Sequence, residues 1–165
     1  MRRLFFVCVF FFVFLGLATA QVVYMDGGEV SWSVMVTKDP GSGDSLFFWS
    51  ETSSGAGANL VLIRDDGALS LFVYMCSSSR LSAHDVSGVR VLVDGTTLAD
   101  KTVAATPGNR NDKGLYQLAV QLSADKDSVQ RLCQGSSVVV EALVLGKPVS
   151  YPLQASAVEG LRAFL

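Results

Sequence analysis

Polar and apolar residues alternate along most of this chain, and the alternation predicts strands. In Ser31–Thr37, Trp32, Val34 and Val36 fall on one side and Ser31, Ser33 and Met35 on the other, the period of a half-buried strand. Leu46–Trp49 is apolar on both sides, as a central strand is. Leu60–Arg64 and Ala68–Met75 flank Asp65-Asp66-Gly67, whose glycine supplies the positive φ of a short hairpin turn. Val89–Val93 runs into Asp94-Gly95, a second hairpin signal, and Leu98–Ala104 pairs back. Leu115–Leu122 alternates again. Ser136–Val144 and Val149–Leu153 form a last hairpin around Gly146-Lys147-Pro148.

The period changes to that of a helix twice. After Leu122, Ser123 can cap, Asp125 and Asp127 suit the positive end, and Gly135 can stop the helix. Val129, Leu132 and Cys133 make its apolar stripe. The final helix opens on Ser156-x-x-Glu159, a capping box, with Val158, Leu161 and Leu165 as its apolar face. Residues 21–30 are a mixed start broken by Gly27-Gly28, and Glu51–Asn59 is a small-residue loop. Nine or ten short strands with turns between them predict a mainly β fold: an antiparallel β-sandwich or open barrel, with two short helices in its C-terminal third.

The first twenty residues follow a different rule. Arg2 and Arg3 precede an almost unbroken apolar run, Leu4–Leu17, which ends in Ala18-Thr19-Ala20. This is the pattern of a secretory signal cut before Gln21. The run is shorter than the roughly 20 residues that span a bilayer. The expectation is a signal peptide over 1–20 and a single exported domain over 21–165, with no integral membrane segment after cleavage and the bacterial periplasm as destination. Without Arg2 and Arg3, eleven basic residues face fifteen acidic ones, a net charge of −4. That balance argues against nucleic acid or an anionic membrane as the main partner. Cys8 leaves with the signal, so Cys76 and Cys133 remain. In an oxidising compartment they are expected to join, for a gain of about 4 kcal/mol in the chain-entropy picture. Two buried free thiols are the competing reading.

Candidate chemistry is sparse. His84 stands beside Asp85, but no nucleophile motif accompanies it, and an exposed loop histidine is the simpler account. One histidine and two distant cysteines lack zinc-ligand spacing. Asp65-Asp66 reads as turn chemistry. Gly41-Ser42-Gly43 and Gly55-Ala56-Gly57 are not followed by the Lys-Ser/Thr of a phosphate loop. Phe47, Phe48 and Trp49 suit either a ligand platform or a two-faced core strand, and the core is favoured. Arg64, Arg80, Arg90 and Arg110 suit either an anionic site or solvated faces. The candidate binding loop is Thr106–Gly114, with Arg110, Asn111 and Lys113, because recognition tends to sit on loops carried by a rigid scaffold. No catalytic residue, metal or cofactor is expected.

The order of elements from about residue 58 onward resembles two groups of periplasmic proteins, the invasion-associated locus B family and the type VI secretion-associated VasI-like proteins. The likeness rests on Trp32, the hairpin LVLIRDDGALSLFVYM, the strand VRVLVDG, the strand and helix YQLAVQLSADKDSVQRLCQG, the pair SSVVVEALVLGKPVSYPL and the terminal ASAVEGLRAFL. The invasion-locus proteins carry more cysteines than Cys76 and Cys133. The resemblance implies a periplasmic β-sandwich without recognised catalytic residues, acting at the envelope or near a secretion machine. The expected function is non-enzymatic binding of an envelope or secretion-system protein. The alternatives are an inhibitor of a hydrolase, such as a lysozyme or protease, and a hydrolase with an unrecognised site.

Overall fold

The computed structural model of the chain describes residues 19–26, 30–53, 56–77, 85–103, 109–110 and 116–164. Two antiparallel sheets, not closed into a barrel, enclose one apolar core in a sandwich-like arrangement. The large sheet holds β1 (Thr19–Asp26), β2 (Val30–Lys38), β3 (Ser45–Ser53), β4 (Ala56–Asp65), β5 (Ala68–Ser77), β8 (Asn109–Arg110) and β9 (Tyr116–Leu122), in the order β1-β2-β3-β4-β5-β9-β8. The small sheet holds β6 (Val86–Val93), β7 (Thr96–Thr102), β10 (Val138–Val144) and β11 (Lys147–Pro152), in the order β11-β10-β6-β7. Helix α1 spans Lys126–Gln134 and α2 spans Ala155–Phe164.

Register explains the core. One row across the large sheet reads Val34, Trp49, Leu60, Val73 and Val120, and all five are buried. The next reads Val36, Phe47, Leu62, Leu71 and Leu122. A one-residue slip would turn each of these side chains to the other face, so burial pins the pairing. Met35, Phe48, Val61 and Phe72 form a row on the opposite face, which is why these strands read as apolar on both sides. Helix α2 lies over β2 and β3. Gly160 makes this possible, since a Cβ there would stand 3.1 Å from Val36 Cγ2 and 3.4 Å from Phe47 Cε2.

A third inner row carries a charge. Glu51 lies between Trp32 and Ala58, and a carboxylate at a core edge must be hydrogen-bonded. Gln154, just before α2, supplies the partner. Its Nε2 donates to Glu51 Oε2 at 2.6 Å, and its Oε1 accepts from the indole N–H of fully buried Trp49 at 2.8 Å. The backbone carbonyl of Gln154 also accepts from the N–H groups of Ala157 and Val158. Gln154 therefore starts the helix, and Ser156 sits inside the first turn instead of capping it. In α1 the cap is Asp125, two residues past Ser123, and its carboxylate accepts from the Ser128 N–H at 2.7 Å. The apolar stripe of Val129, Leu132 and Cys133 is buried as the sequence predicts, and Gly135 follows the last turn.

Three further differences from the sequence reading have physical causes. The mixed start contains β1, paired with β2 over Thr19–Asp26. The small-residue loop Glu51–Asn59 is mostly strand, as β3 runs to Ser53 and β4 begins at Ala56. A Cβ on Gly57 would run into the Glu51 carbonyl oxygen, so small residues here serve close approach of backbones. Cys76 and Cys133 are both buried with no contact between their sulfurs, so the expected disulfide is absent. Cys133 lies near Arg64, which pairs with Leu69 at one end of β5, whereas Cys76 is near the other end, opposite Gly57. Seven residues of strand separate those ends by ~23 Å, and a disulfide needs Cα atoms within about 7 Å.

Burial pushes the Cys133 thiol up to about 11, which removes the reactive thiolate at neutral pH. The Cys133 thiol is expected to resist alkylation by iodoacetamide at pH 8 in the folded protein and to label fully in denaturant without reductant. Peptide mass mapping reads both states. A Cys76–Cys133 peptide surviving denaturation would contradict the fold described.

Candidate protein-docking site

Three hairpins share one kind of turn. Each has two residues with positive φ: Asp66 and Gly67 at 46° and 78°, Asp94 and Gly95 at 50° and 76°, Leu145 and Gly146 at 49° and 75°. Both residues of such a turn need the left-handed region, which glycine, asparagine and aspartate occupy readily. The two aspartates conform. The Asp94 carboxylate accepts from the Ser136 and Ser137 N–H groups at 3.0 and 2.9 Å, and the Asp66 N–H donates to Asp44 at 2.9 Å. Hydrogen bonds from Ser42 and Asp66 hold the Asp44 carboxyl below its ordinary value.

Leu145 breaks the rule. It joins β10 to β11 in a conformation that costs a side-chain-bearing residue about 1–2 kcal/mol. Its side chain is 72% exposed, so packing returns nothing for that strain. Its N–H donates to the Asp85 carbonyl at 2.7 Å, which ties the tip to the residue before β6. Val149, opposite Ala142 on the edge strand, is also exposed, at 38%. The sequence reading centred this turn on Gly146-Lys147-Pro148, whereas Lys147 and Pro148 begin β11. A leucine before glycine between two alternating runs was the signal for the true turn.

A polar row crosses the small sheet beside the tip. Arg90, Glu141 and Ser150 are register partners on β6, β10 and β11. The Arg90 Nε–H donates to Glu141 Oε2 at 2.5 Å and the Ser150 hydroxyl to Oε1 at 2.9 Å. Both Glu141 oxygens are thereby engaged, and the Arg90 and Ser150 bonds hold its carboxyl below the ordinary value of 4.5. Leu143 and Pro148 pair next to this row. The surface is an apolar tip beside fixed polar groups, the mixture that protein interfaces favour.

The structure disperses the residues that sequence reasoning singled out. Phe47 and Trp49 are buried in the core. Arg64 stacks over the Phe164 ring with 5.1 Å to its centroid, and Arg90 pairs with Glu141, so these two arginines have separate structural roles. Arg110 lies on β8, where its backbone pairs with Tyr116. Asn111, Lys113, Arg80 and His84 lie outside the described residues. Asp39 closes the Gly41-Ser42-Gly43 turn by accepting from the Gly41 N–H at 2.8 Å. Tyr151 is buried, and desolvation with Glu51 and Cys76 nearby raises its phenol above the ordinary value. Among the described residues no group of three or more His, Cys, Asp or Glu side chains is placed to hold a metal, and no helix is long and apolar enough to cross a membrane.

No family model, no curated protein and no solved structure matches this chain.

Two outcomes follow from the geometry of the tip and the row. Leu145→Asn is expected to stabilise the fold by about 1 kcal/mol, because asparagine tolerates the left-handed region. A higher urea midpoint with an unchanged slope is the readout. The lowered Glu141 value means that its bonds add stability above its unfolded value, and that this contribution is lost as pH falls through the folded one. Arg90→Ala is expected to move Glu141 back up toward 4.5 in a carboxyl NMR titration.

Proposed function

We propose that this protein is an exported, non-enzymatic binding module whose partner is another protein of the bacterial envelope or a secretion assembly, and that the Leu145 tip is its anchor. The observation that carries the reading is the pairing of strain with exposure at Leu145. Backbone strain is kept where the surroundings enforce it, often at functional sites. Here it holds an apolar side chain in solvent, where a partner's pocket could receive it. The short basic start, the apolar run and the small residues before Gln21 support export. The resemblance to periplasmic invasion-locus and VasI-like proteins supports an envelope setting. The candidate loop with Arg110, Asn111 and Lys113 belongs to the same proposal as a second contact.

An exposed apolar turn also suits contact with an enzyme cleft, so the hydrolase-inhibitor reading remains as the alternative. Affinity purification of the tagged protein from crosslinked cells, with a tag-only control, separates the readings. The expected result is a reproducible envelope or secretion partner whose recovery falls at least about tenfold with Leu145→Asn, as for the loss of an interface hot spot. Loss of binding together with gain of stability would mark Leu145 as functional. Full recovery of the partner with the variant would remove the tip from the site. A recovered hydrolase, inhibited by the wild-type protein, would favour the alternative.

A further inference from the structure

The free edges of the two sheets are built differently. Strand β11 carries Lys147, Pro148 and Pro152 among six residues, and β7 carries Asp100 and Lys101 and has a register shift against β6. Charge, proline and irregularity are the devices that stop an edge from pairing with another chain. Strand β1 has none of them before its last residue. Its sequence is TAQVVYMD, with no proline and with Asp26 as its single charge. Its ladder with β2 is continuous over eight residues, and the next three ladders, through β5, are also free of register shifts. Among the described residues no strand pairs with its outer edge.

We propose that β1 pairs antiparallel with β1 of a second copy of this chain, which joins two seven-stranded sheets into one. The edge is self-complementary. In an antiparallel ladder, N–H and C=O groups turn to a given edge at every second residue. Two identical strands can therefore pair through the same edge only with residues of equal parity opposed, and the two-fold axis passes through a residue. Centred on Val23, the axis sets Gln21 opposite Met25 and Val22 opposite Tyr24. No like charges oppose in that register. Asp26 falls one residue beyond the ladder, beside the partner's Gln21, whose α-ammonium would oppose it if the chain starts there. That last contribution rests on the proposed export and cleavage; the strand pairing does not.

The test uses the chain as exported by a bacterial host, with its first residue read by N-terminal sequencing. Sedimentation equilibrium is expected to give a dimer. Val22 and Tyr24 register with Met35 and Ser33, the positions of β2 on either side of the buried Val34. The double variant Val22→Lys, Tyr24→Lys is therefore expected to sediment as a monomer with an unchanged far-ultraviolet spectrum. Val22→Cys mixed with Tyr24→Cys is expected to give a disulfide-linked dimer under mild oxidation, and neither variant to give one alone, because only opposed residues meet the distance limit. A monomer at every concentration overturns the proposal. So does a dimer that survives both lysines, or crosslinking that ignores the register. A first residue other than Gln21 counts against the export reading alone, since sedimentation still reports the pairing.

Discussion

The amide of Gln154 is the hinge pin of this molecule. Glu51 sits in an inner row of the large sheet, where an ionised carboxylate without a partner would be costly. Trp49, two residues back on the same face, brings a buried indole N–H that also needs an acceptor. One amide side chain answers both, donating to Glu51 and accepting from Trp49. Because the carbonyl of that same residue receives the first helical N–H groups, the position of α2 is fixed by the polar requirement of β3. The rest follows along the helix. Ala157 is buried, Gly160 lets the backbone approach Val34 and Val36, and Phe164 ends the run beneath Arg64.

Much of this architecture is legible in the chain because burial and period coincide. Trp32, Val34 and Val36 alternate with Ser31, Ser33, Met35 and Thr37, and they lie on the inner face as alternation demands. The Asp-Gly pairs at 66–67 and 94–95 mark turns through a backbone requirement that few residue types meet. Misreadings arose where a local signal had a distant competitor. Ser156 has the spacing of a cap, but Gln154 is held by two side chains from about a hundred residues away. The run ETSSGAGAN has loop composition, but its small residues allow two strands to close on each other. Cys76 and Cys133 have the compartment logic of a bridge, but Cys76 lies on β5 and Cys133 on α1, with no contact between their sulfurs. Pairing of cysteines is a matter of three-dimensional distance, and composition does not contain it.

The candidate site was the least legible part. Charge and loop length drew attention to Arg110, Asn111 and Lys113, whereas the geometric anomaly is an ordinary leucine. Its significance lies in the mismatch between residue and backbone, and that mismatch exists only once the two-residue turn is placed. The neighbouring Arg90, Glu141 and Ser150 row illustrates the complementary point. Each residue alone reads as a solvated strand position, and only register makes them a chain of bonds that fixes the surface next to the tip.

The β1–β2 ladder also has a consequence for the order of events in the life of the chain. Its pairs run back to Thr19 and Ala20, which oppose Lys38 and Thr37. The bond between Ala20 and Gln21 thus lies inside a paired strand. A processing enzyme that grips its substrate as a free extended segment would find that bond occupied once the sheet had closed. If the proposed cut before Gln21 is made, it would have to come before β1 docks on β2.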